Sequence, residues 1–171
     1  MASLSSNLIT NLDTVPSVMN DVGKSGGRIR VQTDNFEWVG ATLTTAADFA
    51  RLCRVPTNAR LLSAHFWNDT LDGGSSLVID IGVYPIDSDT AVSSDCIVDG
   101  DTSFQSASVA AGTELVALVA ADVTNMGKRM WEVAGLSTDP GGLYDICMTA
   151  QVPAGSDATG TVAFRIMYTV D

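Results

Sequence analysis

Few residues in this chain have the types and spacing that chemistry needs. Gly23-Lys24-Ser25-Gly26-Gly27 satisfies the G-x-S-x-G spacing of a nucleophile elbow, in which Ser25 would attack an acyl carbon. That elbow needs a buried strand before the serine and a helix after it. Here a polar segment precedes and an alternating segment follows. The same run ends like a phosphate-binding loop, but Val18 stands where that loop needs its first glycine. A hinge is the expectation. His65 is the single histidine and lies between Ala64 and Phe66 in an alternating run. One histidine builds no multi-histidine metal site, and any Ser-His-Asp triad would have to use it; a half-buried strand histidine is the plainer reading.

The carboxylates Asp87, Asp89, Asp95, Asp99 and Asp101 cluster in sequence. Such a cluster can hold Ca²⁺, which takes oxygen ligands in flexible geometry. No glutamate closes an EF-hand loop here, so a solvated loop is expected. A glycosidase pair would sit on rigid strands in a cleft, not in a loop. Trp38, Trp67 and Trp131 offer aromatic faces for a sugar platform, yet each lies in a strand-like run where a core or subunit-contact role is ordinary. Asn68-Asp69-Thr70 fits the N-glycosylation pattern without a secretory signal beside it. No catalytic residue, metal site or cofactor is expected, and the chain is not expected to be an enzyme.

The elements come from periodicity. From Ser76 to Tyr84, Leu77, Ile79, Ile81 and Val83 alternate with Val78, Asp80, Gly82 and Tyr84. A period of two sends one set to each face of a strand. The apolar set must be covered; the mixed set reads as half wet. Gly160 to Val170 alternates most cleanly, with Val162, Phe164, Ile166, Tyr168 and Val170 on one face. Leu143 to Val152 puts Tyr144, Ile146, Met148 and Ala150 together, and these last two strands read as a hairpin. Further strands are expected at 28–32, at 36–39 after a turn at Thr33-Asp34-Asn35, and at 59–67. In that last run Leu62, Ala64 and Phe66 share a face. Shorter strands are expected at 115–121 and 129–133, and strand or a helical turn at 48–55. Pro85 ends the central strand, and a long Asp/Ser/Thr loop is expected through Asp101. Residues 102–110 read as a short helical turn with Phe104, Ala107 and Ser108 on one face and Asp101 or Thr102 as cap. About eight short strands without a useful helix predict an all-β antiparallel sandwich, jelly-roll-like.

Composition sets the outer bounds. The 171 residues are 46% hydrophobic and 17% charged, with net charge −11. Much of the acid is Asp beside Gly, Ser or Thr, where the carboxylate caps turn N–H groups. Nucleic acid, which needs Lys and Arg for counterion release, is not an expected partner, and neither is an anionic membrane. Three cysteines, Cys53, Cys96 and Cys147, without CxxC spacing are not a disulfide framework. The first residues show no basic n-region with an apolar h-region, so no signal peptide is expected.

Residues 1–27 read as an arm and 28–171 as the sandwich domain. Leu4, Leu8, Ile9 and Leu12 would form one short amphipathic turn or helix. A disordered leader is the plain reading; an arm that orders on a neighbouring subunit is the sharper one, since exposed Leu and Ile are wasteful in a free tail. Lys24, Arg28 and Arg30 are the densest basic group in the chain. These seven residues are the candidate partner contacts.

Taken together, a Gly-bounded first strand, the strand 62–67, the Asp80-x-Gly82-x-Tyr84 pattern, an acidic stretch running into Phe104, and a Pro153/Gly160 turn before a strand closing on Tyr168 resemble a known family. It is that of the small acidic decoration (cement) and head-fibre proteins of tailed double-stranded DNA bacteriophages, over residues 28–170. The resemblance implies a jelly-roll body, a homotrimer at capsid symmetry axes, and an arm over neighbouring capsid proteins. The major capsid protein and further copies of the chain would be its partners. It would be made in the host cytoplasm and located on the capsid surface of the virion. The alternative is a tail- or fibre-associated sandwich that binds a host glycan or another virion protein.

Overall fold

The strands pair as a hairpin folded back on itself. In the computed structural model, described for residues 6–20, 25–39, 45–107, 112–115, 123–155 and 159–170, the order is α1 (Asn7–Asp13), β1 (Arg28–Val39), β2 (Phe49–Pro56), β3 (Arg60–Asn68), β4 (Val78–Pro85), β5 (Ser93–Asp101), β6 (Thr113–Glu114), α2 (Met130–Val133), β7 (Leu143–Val152) and β8 (Thr159–Val170). β4 pairs with β5, β3 with β6, β2 with β7 and β1 with β8, all antiparallel. Rolling that long hairpin splits it into two four-stranded sheets, β1-β8-β3-β6 and β2-β7-β4-β5. This is the jelly roll, an all-β antiparallel sandwich.

Periodicity explains the closure. Val162, Phe164, Ile166 and Tyr168 of β8 are buried, as are Ala64 and Phe66 of β3. They meet Leu77 and the Ile79, Ile81 and Val83 row of β4, and Ile146, Met148 and Ala150 of β7. Phe66 contacts Phe104 edge-on at 5.7 Å and Phe164 at 6.4 Å. Phe104 sits on a 3₁₀ turn, Ser103–Gln105, that Asp101 opens by accepting the Ser103 N–H at 2.5 Å. The rest of the helical turn expected through residue 110 lies largely outside the described residues.

Several sequence expectations are corrected. The mixed face of β4 is not half wet: Asp80, Gly82 and Tyr84 are buried. Phe49 stacks on Tyr84 at 4.6 Å, the Tyr84 hydroxyl bonds Thr149 at 3.0 Å, and the Gly100 N–H donates to Asp80 at 2.9 Å. β5 is irregular in register beside β4, and its Ser93–Ser94 backbone lies over Gly82. The acidic loop ends at residue 92, because buried Cys96, Ile97 and Val98 turn the remainder into β5. β1 runs unbroken through Thr33-Asp34-Asn35, which pair with Arg165, Phe164 and Ala163; the long partner strand overrides local turn preference. A bulge between Leu61 and Ser63 leaves Leu62 exposed and turns Leu61 to the core. Residues 130–133 form helix α2, opened by Glu132 accepting the Arg129 N–H at 2.7 Å, so Trp131 is helical. β7 and β8 are not a hairpin: β7 pairs with β2 and β4, β8 with β1 and β3, and their connection crosses between sheets. Of the strand expected at 115–121, buried Leu115 follows the short β6 and the rest lies outside the described residues.

Asp72 fastens two connections together. Its buried carboxylate accepts N–H bonds from Gly74 at 2.7 Å, Ser76 at 2.6 Å and Leu77 at 2.8 Å, and from Gly155 on the β7–β8 crossing at 3.1 Å. Burial alone would raise its pKa; the four backbone donors outweigh that and hold it far below the usual carboxylate range. A carboxyl depressed on folding contributes stability above its unfolded pKa of ~4 that is lost as pH falls toward the folded value. Asp72→Asn is expected to cost roughly 3 kcal/mol at neutral pH. In urea titrations the gap to wild type should narrow below pH ~4, where protonation removes the wild-type advantage; a gap independent of pH contradicts this role. Gly82→Ala would drive a methyl into the Ser93 carbonyl and the Ser94 backbone. It is expected to lower stability by roughly 3 kcal/mol, and an unchanged urea midpoint would show that β5 does not lie there.

Candidate partner-contact surface

The arm and the first residues of β1 make a surface of their own. α1 carries Leu8, Ile9 and Leu12, and Ile9 is half exposed. Leu4 and Lys24 lie outside the described residues. α1 makes no extensive contact with any strand of the sandwich among the described residues. The segment after it turns back, with the Val18 N–H bonding the Asn11 carbonyl at 2.9 Å and Asn11 Nδ2 bonding Asn20 Oδ1 at 2.8 Å. This return strap holds the most exposed apolar side chains among the described residues: Val15 at 96% and Met19 at 87%, with Val18 half exposed. Sequence reasoning fixed on the leucines at helical spacing and passed over Val15, Val18 and Met19. The only available signal was apolar residues without periodicity in a polar stretch.

Arg28 and Arg30 open β1, an edge strand paired only with β8, and both are exposed. Exposed Ile29 and Val31 alternate with them. No acidic partner of Arg28 or Arg30 occurs among the described residues. Other cations are engaged. Arg54 grips Asp145 through two bonds of 2.7 and 3.1 Å. Arg51 reaches Asp145 at 2.8 Å, the Ser88 carbonyl at 2.7 Å and Asp89 at 3.1 Å. Arg60 donates to the Gly127 carbonyl, and Lys128 to Asn125 Oδ1 at 2.7 Å. Arg54's hydrogen bonds are the main cause that holds buried Asp145 below the usual carboxylate range; burial opposes them and Arg51 adds to them. The cluster ties the 85–89 turn to the sheet and leaves Arg28 and Arg30 beside the arm without an ion pair among the described residues.

The residues that suggested chemistry do not assemble into a reactive centre among the described residues. Ser25 begins a turn with Gly26 at φ +91° and leads into β1, not into a helix. Ser63, His65 and Glu114 converge on the outer face of the β1-β8-β3-β6 sheet. Glu114 receives the Ser63 hydroxyl at 2.5 Å and lies 3.5 Å from His65 Nδ1. The serine thus hydrogen-bonds the carboxylate, and no histidine takes its proton as a base would. No group of three or more His, Cys, Asp or Glu is placed to hold a metal ion among the described residues. The tryptophans are scattered: Trp38 is fully buried, Trp131 rides on α2, and Trp67 lies on the outer sheet face with Arg165 5.5 Å above its ring. The three cysteines are free. Burial pushes each thiol up to about 12, so none is a thiolate at neutral pH.

Solved structures share this fold. A chain titled "Cyanophage Pam1 capsid asymmetric unit" superposes with a TM-score of 0.56 at 16% identity, over 93% of this chain and 97% of that one. A chain titled "Capsid of Ralstonia phage GP4" gives a TM-score of 0.56 at 18% identity, over 83% and 85%. These structural neighbours are chains of phage capsids, and at such identity the likeness establishes the fold. No protein-family model and no curated protein matches the sequence.

The buried thiols predict slow chemistry. In native protein at neutral pH a disulfide reagent should label Cys96 and Cys147 only on unfolding, with Cys53 slow. Rapid stoichiometric labelling of all three would contradict the packing.

Proposed function

We propose that the chain is a virion structural protein that binds the outer surface of a phage capsid and stabilises it, as a decoration or cement protein. The observation that carries this reading is the jelly roll itself, matched over nearly its whole length to a chain of a phage capsid. The surface agrees with an adhesive role. The exposed apolar arm and Arg28 and Arg30, which have no acidic partner among the described residues, are contact chemistry, while the −11 net charge favours solubility at high local concentration. On this reading the partners are the major capsid protein and further copies of the chain in a homotrimer, with no enzymatic activity and no cofactor. The glycan-binding alternative called for two or three tryptophans exposed on one face, and no observation favours it.

The test is co-sedimentation with purified empty capsids. Full-length protein should pellet with the shells. Deletion of residues 1–26 should abolish pelleting while thermal unfolding of the body stays cooperative. Arg28→Glu with Arg30→Glu should weaken binding by at least about tenfold, since each lost charge-assisted contact is worth roughly 1.5 kcal/mol or more. Pelleting unchanged by the deletion would contradict the proposal.

A further inference from the structure

The end of the sandwich from which the arm leaves also carries an open apolar groove. The groove has a volume of about 540 Å³ and lies between the turn after β4 and the segment before β7. Ile86, Val92, Leu136, Pro140, Leu143 and Tyr144 line it. Ile86, Leu136 and Leu143 are each more than a third exposed there, so nothing in the described chain covers them. Its position follows from the register. Pro85 pairs with Tyr144, and Pro56 with Leu143. The short turn from Pro56 leads to Arg60, which pairs with Thr169, and Thr169 pairs with Ile29. The start of β1 and the groove therefore share one end of the molecule.

We infer that this groove receives the strap residues Val15, Val18 and Met19 of a second copy of the chain. The inference rests on the proposed function and names the contact by which the copies would associate. Three observations point to a second copy as the occupant. First, the strap and the groove are both apolar and both uncovered among the described residues, and every copy of the chain carries one of each. Second, the chain's own arm is bonded back on itself through Asn11 and Asn20 and leaves its own groove open. Third, the charges match: exposed Asp87 lines the groove, while Arg28 and Arg30 stand at the base of the arm without a counter-charge among the described residues. Reach is sufficient, because the roughly eight residues from Asn20 to Arg28 span up to about 28 Å when extended. Each arm thus leaves beside its own groove and fills its neighbour's, a head-to-tail contact that closes into a ring if the rotation allows.

Light scattering on the full-length chain across the micromolar range tests this, with capsids absent. Wild type should have the mass of an oligomer. Val15→Glu/Met19→Glu, which alters only the strap, and Leu143→Glu, which alters only the groove, should each fall to the 17.9 kDa of a single chain. If Leu143→Glu loses its cooperative melt, Leu136→Glu takes its place. An equimolar mixture of strap and groove variants keeps one intact strap and one intact groove, so native mass spectrometry should recover a two-chain species. A single-chain wild type, variants that keep the wild-type mass, or a mixture that stays single-chain would each overturn the inference. Co-sedimentation reads the other proposal separately. A single-chain wild type that still pellets with capsids overturns this contact alone; an oligomer that ignores capsids overturns the virion reading alone.

Discussion

The packing of the inward rows of β8 and β3 against those of β4 and β7 is the interaction on which the rest of the structure depends. Phe66, Ile79 and Ile81 come from the first half of the chain and Ile146 and Phe164 from its end, and each is almost fully buried. Burying a side chain of that size contributes roughly 2 kcal/mol. Because sequence neighbours such as β7 and β8 lie in opposite sheets, most ladder partners are distant in the chain, as β1 is from β8 and β2 from β7. Closure is therefore non-local, and such topologies fold slowly for their size. The same closure fixes the ends of the sandwich, and with them the exit of the arm and the groove beside it.

Electrostatics are arranged around that core and add little to it directly. The chain is strongly acidic, yet its two best-held carboxylates have fixed structural tasks. Asp72 ties the turn before β4 to the β7–β8 crossing through backbone N–H groups. Asp145 collects two arginines on the outer face of its sheet. With those cations engaged, Arg28 and Arg30 stand at the start of β1 without an acidic partner among the described residues. A protein whose charge is mostly repulsive toward its own kind needs apolar contacts to associate; on the proposed reading the arm and groove would supply them.

The fold class was legible from alternation alone. The rows in β8, β7 and β4 could be counted in the sequence, and each lies in the core. What alternation could not show was the environment of the second face. Asp80, Gly82 and Tyr84 read as half wet because a strand's sequence does not reveal that an irregular β5 will close over Asp80 and Gly82 and that Phe49 will stack on Tyr84. Thr33-Asp34-Asn35 read as a turn because local preference is visible and a twelve-residue partner strand is not. The final two strands read as a hairpin because a short connection looks the same whether it stays in a sheet or leaves it. At the candidate contact surface, Arg28 and Arg30 stood out by charge in an acidic chain. Val15, Val18 and Met19 carried no period and became visible only as exposed side chains, and the groove exists only in three dimensions.

The account holds that this jelly roll works by adhesion to a larger shell and carries no reaction. Electron cryomicroscopy of capsids reconstituted with the full-length protein tests that most directly. The account predicts ordered density for the sandwich on the outer surface of the shell, with the arm laid over neighbouring subunits. Shells bare on the outside, with the protein confined to the interior or to the tail, would contradict it.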